Sequence, residues 1–199
     1  MSTGLTAQAG RSIDSAQPYP WPWHGSFDGA RCALVACVDG RWRSARDASD
    51  ASDERLWELA RVLRERGALV IAVTAMPSRG PGELDVAPST IVGAPAGLGA
   101  DVELTAGAAN AFYASTLDDL LRANGRDDLV LAGWGLEGPV HSTMRAANDR
   151  GYECLLVTDA CTPIETELAF AAREMVCFSG GIFGAVADTA GVVQCLADA

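Results

Sequence analysis

Side chains able to do acid–base chemistry follow two apolar, strand-sized runs in this sequence. Asp39 closes "CALVACVD", and Glu137 and His141 flank the turn in "LAGWGLEGPVHSTMRAANDRG", residues 131–151. A carboxylate and an imidazole reaching one substrate could move a proton without a covalent intermediate. Two thiols also lie at strand ends, Cys37 in the first of these runs and Cys161 just after a later run, "ECLLVTDA" (153–160). A cysteine attacks a carbonyl only as an accessible thiolate activated by a base or a positive charge. Both sit in apolar stretches and read as core thiols. The residue at the tip of the second turn is Pro139, which has neither a nucleophilic atom nor a backbone N–H.

Such groups need a frame. "CALVACV" (32–38), "ALVIAVTA" (68–75), "DLVLAG" (128–133) and "ECLLVTDA" (153–160) are continuous apolar runs, the pattern of parallel strands covered on both faces. A weaker strand is expected over 101–105 and a last one at "GIFGAVA" (181–187). Between them "SDERLWELARVLRERG" predicts a helix capped by Ser52 and stopped by Gly67, with Leu56, Leu59, Ala60 and Leu63 on one stripe. Further helices are expected from about Ser115 to Gly125, from Pro139 to about Arg150, over 164–176, and from about Asp188. Residues 76–100 are rich in Pro and Gly and read as a long loop. Strands alternating with helices imply a doubly wound three-layer α/β/α domain with a parallel sheet of about six strands. Ligands in such sheets sit beyond the carboxyl ends of the strands.

The domain is assigned to residues 31–199. It is preceded by a polar tail (1–17), expected to be disordered, and by the arm "PYPWPWHG" within residues 18–30, expected to lie extended over its own or a neighbour's surface. A net charge of −11 disfavours nucleic acid, whose phosphates need clustered cations. The 15 basic residues are all arginine. No apolar run is long enough to span a membrane, and the N-terminus lacks the pattern of a secretory signal. The six cysteines have no CxxC spacing and fit reduced thiols in a cytoplasmic protein. The two histidines, His24 and His141, lie far apart in sequence, so no metal and no cofactor is expected.

The order of elements, with "ALVACVD", "AFYASTLDDLLRANGRDDLVLAG" and "GPVHSTMRAANDRGYECLLVTDAC", resembles the isochorismatase-like cysteine hydrolases. It is most similar to the branch of biuret and ureidoacrylate amidohydrolases. The resemblance implies a triad: an aspartate ending strand one, a lysine before helix three, and a cysteine opening helix four. The cysteine attacks an amide carbonyl, the aspartate shuttles the proton and the lysine balances charge. Backbone N–H groups of the strand-four turn hold the oxyanion. Those positions fall here on Val38, Ala106 and Pro139. Gly135, Leu136 and Phe112 are expected to line the same hollow. Asp39 could replace the missing aspartate only if the strand end bulges, because successive strand residues point to opposite faces. No residue can replace the lysine. The loop 76–100 is also shorter than that branch's substrate-covering segment.

Losing the nucleophile costs on the order of a millionfold in turnover, and one oxyanion donor about a hundred- to a thousandfold. A proline at the first helical position, by contrast, sacrifices no helical hydrogen bond. The sequence therefore reads first as a non-hydrolytic member of the family, either a subunit partner of an active paralogue or a small-molecule binder. The second reading is a rebuilt site using Asp39, Glu137 or His141 for non-covalent acid–base chemistry. Some relatives run such chemistry without the cysteine, though they keep the aspartate and lysine. Glu137 itself reads as a turn residue near a positive dipole end, and His141 as scaffold or subunit contact. Relatives associate as dimers or tetramers, so the resemblance implies a homo-oligomer or a hetero-oligomer with a paralogous hydrolase.

Overall fold

A computed structural model describes residues 11–39, 51–75 and 97–197, with Asp39 described by its backbone alone. Six strands form one parallel sheet: β1 (Cys32–Asp39), β2 (Leu69–Ala75), β3 (Val102–Ala106), β4 (Asp128–Trp134), β5 (Glu153–Thr162) and β6 (Ala185–Ala187). Their spatial order is β3-β2-β1-β4-β5-β6. The register is regular at the centre, where Ala33 pairs with Leu69 and Cys37 with both Val73 and Gly133. β1 and β4 are nearly wholly buried because helices cover both faces. On one face lie α1 (Ala51–Glu65) and α5 (Thr189–Ala197); on the other lie α2 (Leu117–Ala123), α3 (His141–Asn148) and α4 (Thr166–Gly181). The three-layer, doubly wound architecture expected from the sequence is the one observed.

Local chemistry explains most element ends. α1 buries Leu56, Leu59, Ala60 and Leu63 and stops at Gly67, whose φ of 87° no side-chain-bearing residue adopts cheaply. The next amide, that of Ala68, reaches back to the Leu63 carbonyl at 3.1 Å and satisfies a helix-end acceptor. Ser52 lies inside α1 rather than before it, and its hydroxyl meets the Thr162 hydroxyl at 2.7 Å. The last strand is shorter than expected, because Gly181 and Gly184 take positive φ and hold the chain in a turn until Ala185. α4 runs past its expected end at 176 and breaks at Phe178–Gly180, where the backbone leaves helical geometry. Within the 76–100 loop, residues 76–96 lie outside the described residues.

The described part of the expected tail is packed. Ile13 and Ala16 are buried, Ile13 bridges Trp21, and Gln17 bridges Val186 on the sheet's edge strand. Apolar residues at 13 and 16 facing inward are enough to hold a polar-looking segment. The arm lies on its own chain: Trp21 is fully buried, Tyr19 and the Trp23 amide donate to Glu153, and His24 Nε2 lies 3.1 Å from Asp128 Oδ1. Trp23 stays largely exposed.

Candidate functional site

The strand order reverses direction between β1 and β4, which opens a crevice beyond their carboxyl ends. Val38 stands there, buried, and Ala106 closes β3 nearby, also buried. β4 enters the crevice through Gly133, whose absent Cβ would fall 2.2 Å from the Cys37 carbonyl oxygen, so only glycine lets the strands approach. Gly135 then turns the chain with φ 82°, donates its amide to the Thr162 carbonyl at 2.8 Å, and starts a wide π-helical turn over Leu136–Val140. α3 follows directly.

The proline therefore does not open the helix, as the sequence suggested. It is the fourth residue of the π turn, with three helical positions ahead of it. The cost is no greater there, because the first four amides of a helix have no partner within it. The Pro139 ring presses on Gly135, where a Cβ would come within 2.6 Å of Pro139 Cδ. The neighbouring amides are committed inward: Gly138 and Val140 both donate to the Gly135 carbonyl, at 3.0 and 3.2 Å. With no N–H at 139 and its two neighbours spent, the centre of the turn presents no donor to an anion.

Beneath the turn lies a polar knot the sequence did not disclose. Thr143 Oγ1 accepts the Ala111 amide at 2.9 Å and the Cys37 thiol at 3.5 Å, and the thiol also faces the Pro139 carbonyl at 3.8 Å. All four residues are buried, and burial pushes the Cys37 thiol up to about 11 despite the Thr143 contact. The available signal was Thr143's place on the face of α3 that also carries Met144 and Ala147, one turn on from Val140. A second knot joins the Trp134 indole N–H to Asp53 at 2.8 Å and ties α1 to the end of β4.

The remaining candidates do not converge. Glu137 turns both carboxylate oxygens onto the start of α4, accepting the Ile164 amide at 2.9 Å and the Glu165 amide. A carboxylate is stabilised there by the partial positive charge of the helix end. His141 is buried at the α3–α4 contact with its ring edge toward Phe183; burial and then Arg145 hold its imidazole below the usual range. The Asp39 side chain lies outside the described residues. Leu136 is buried in the turn, and Phe112 is buried as well. Its ring stacks on Tyr152 with centroids 5.9 Å apart and lies under the Arg150 guanidinium at 4.7 Å. Cys161 is sealed, its thiol pointing to the Val157 carbonyl. Among the described residues, no three His, Cys, Asp or Glu side chains come together as a metal site would need.

A parallel doubly wound sheet with a glycine-framed turn at its switch point defines a three-layer α/β scaffold with its crevice at the strand ends. Residues 35–190 match the family described as Isochorismatase domain, and the chain belongs to the isochorismatase family. Solved structures share the fold. An isochorismatase family protein from Burkholderia thailandensis is 26% identical with a TM-score of 0.66, covering 84% of this chain and 96% of its own. A cysteine hydrolase from Pseudomonas syringae pv. phaseolicola superposes with a TM-score of 0.69 at 18% identity over 86% of this chain and 95% of its own. An isochorismatase from Pseudomonas putida gives 0.61 at 21% identity over 82% and 91%. No helix among the described residues is long and apolar enough to cross a membrane.

Proposed function

We propose that this chain keeps the family's scaffold without its covalent hydrolysis, and acts as a partner subunit of an active paralogue or as a small-molecule binder. It belongs on this reading to the biuret and ureidoacrylate amidohydrolase-like branch, with Val38, Ala106 and Pro139 at the triad positions. The observation that carries the proposal is the turn itself. Pro139, on which the resemblance places the attacking thiol, sits in a turn whose adjacent amides are bonded to Gly135, and Cys37 is sealed beneath it. A thiol with its proton held to about 11 supplies little thiolate at neutral pH. The six free cysteines, four of them buried, suit a cytoplasmic location.

The acid–base alternative loses support at two of its three residues. Glu137 is engaged by two backbone amides, and His141 faces a groove between helices rather than the strand ends. Purified protein incubated with biuret, ureidoacrylate, nicotinamide and isochorismate should release no ammonia or product above an enzyme-free control. Turnover that disappears in Asp39→Ala or Cys37→Ala would overturn the proposal.

A further inference from the structure

Between α3 and α4, away from the strand ends, lies a cavity of about 230 Å³. Its α4 side is a single stripe. Leu168, Ala171, Ala172 and Met175 stand at the i, i+3, i+4, i+7 spacing that puts four side chains on one helix face. The two alanines keep the floor low, and Leu168 and Met175, each about half exposed, flank them along the helix. From α3 come two polar groups one turn apart, His141 and Arg145. Arg145 is exposed and makes no hydrogen bond or ion pair among the described residues; the Phe183 ring lies against its guanidinium at 4.5 Å. His141 is 6% exposed, and its Nε2 is buried with no hydrogen-bond partner among the described residues. Folded proteins seldom leave a buried polar atom in that condition.

We propose that this cavity binds a small monocarboxylate with an aliphatic body. The carboxylate lies on Arg145, whose planar fork pairs with both oxygens and is steadied by the Phe183 ring beside it. It also gives His141 the acceptor it lacks: the imidazole χ2 is a soft torsion, so the ring can turn Nε2 toward the cavity as the ligand enters. The aliphatic body runs over Ala171 and Ala172 between Leu168 and Met175, which offer apolar contact and no polar partner. Glu137 borders the same cavity, but its charge is already met by the Ile164 and Glu165 amides at the start of α4. At the packing density of protein interiors, about 0.74, the cavity holds on the order of ten non-hydrogen atoms. A single cation on a chain of net charge −11 suits one carboxylate and disfavours a polyanion. The inference goes beyond the proposed function and holds whatever occurs at the Pro139 turn.

Isothermal titration calorimetry of the full chain with sodium hexanoate tests it. One molecule should bind per chain, with a dissociation constant on the order of 0.1–1 mM for so small and open a site. Sodium acetate, shorter by four methylenes, and hexanamide, which carries no charge, should each bind at least about tenfold more weakly. Arg145→Gln should weaken hexanoate about tenfold and leave hexanamide unaffected. Ala171→Leu, which raises the floor, should weaken both by about tenfold or more. Both positions are exposed, so each variant should keep the far-UV circular dichroism of the wild type. The His141 ring-nitrogen signals, assigned by their loss in His141→Phe, should shift when hexanoate is added. No saturable binding of hexanoate up to 20 mM would overturn the proposal. So would hexanamide binding as tightly as hexanoate, or an affinity indifferent to both substitutions, which would place the ligand elsewhere.

Discussion

Cys37 and Pro139 lie in direct contact, the first with a nucleophilic atom and no access, the second with neither a nucleophilic atom nor a backbone N–H. The cysteine is 1% exposed, and its thiol divides its weak hydrogen bonding between Thr143 and the Pro139 carbonyl. A thiol reagent reports this directly. Native protein at pH 8 should react promptly at Cys177 and Cys195, both partly exposed, while Cys32, Cys37, Cys154 and Cys161 should react only after denaturation. A chromogenic disulfide assay with and without guanidinium counts the two classes; rapid modification of Cys37 in the native state would contradict the sealed site. Glu137 offers a second residue-level test. Its two bonds to backbone amides are charge-assisted, but the carboxylate is partly exposed and water can replace it, so Glu137→Ala should cost about 1–2 kcal/mol in urea denaturation.

At the scale of elements, the arm and the α3–α4 contact have opposite characters. The arm is held by burial: Trp21 is 0% exposed, whereas Trp23, two residues on, is 74% exposed. Trp21→Ala should therefore lose about 3–5 kcal/mol, and Trp23→Ala close to nothing, by the same denaturation measurement. The α3–α4 contact is sensitive to pH. His141 is held neutral by burial, so its folded proton affinity lies below the unfolded value of 6.5. The unfolded chain then binds the extra proton first, and stability present above pH 6.5 is lost as the pH falls from that value toward the folded one. Relative to His141→Phe, which cannot titrate, the wild type should lose stability between pH 7 and pH 5 and keep a constant difference above pH 7. The comparison is needed because Asp128, raised by burial even with His24 beside it, acts in the opposite sense at the acid end.

The strands, their order of appearance and the switch-point turn were legible in the sequence because buried parallel strands are continuous apolar runs. The π turn was not, since its geometry depends on a bond from Val140 back to Gly135 that residue types do not announce. The stacking of Phe112 on Tyr152 was not legible either, because it joins residues about forty positions apart that only the fold brings together. The clamp made by Glu137 was half legible, as an acid near a helix start, but the helix it serves is α4 rather than its own. That pairing exists only once β5 has carried residue 164 back beside residue 137.

Charge acts on the whole molecule at two ranges. The chain carries 26 acidic and 15 basic side chains, and its exposed ion pairs, such as Arg31–Asp127 at 3.3 Å and Arg61–Glu65 at 2.8 Å, are short. Screening reaches only interactions longer than the Debye length, about 10 Å at 0.1 M salt, so these contacts lose little when salt is added. They also contribute little, about 0–1 kcal/mol each. The repulsion among the 11 uncompensated negative charges spreads over the whole surface and is longer than that length at most separations. Salt should therefore relieve more repulsion than it weakens attraction. Raising sodium chloride from 10 to 300 mM should increase the melting temperature measured by circular dichroism at 5 μM. A decrease would show that the short arginine–carboxylate contacts, rather than the net charge, set the electrostatic balance of the fold.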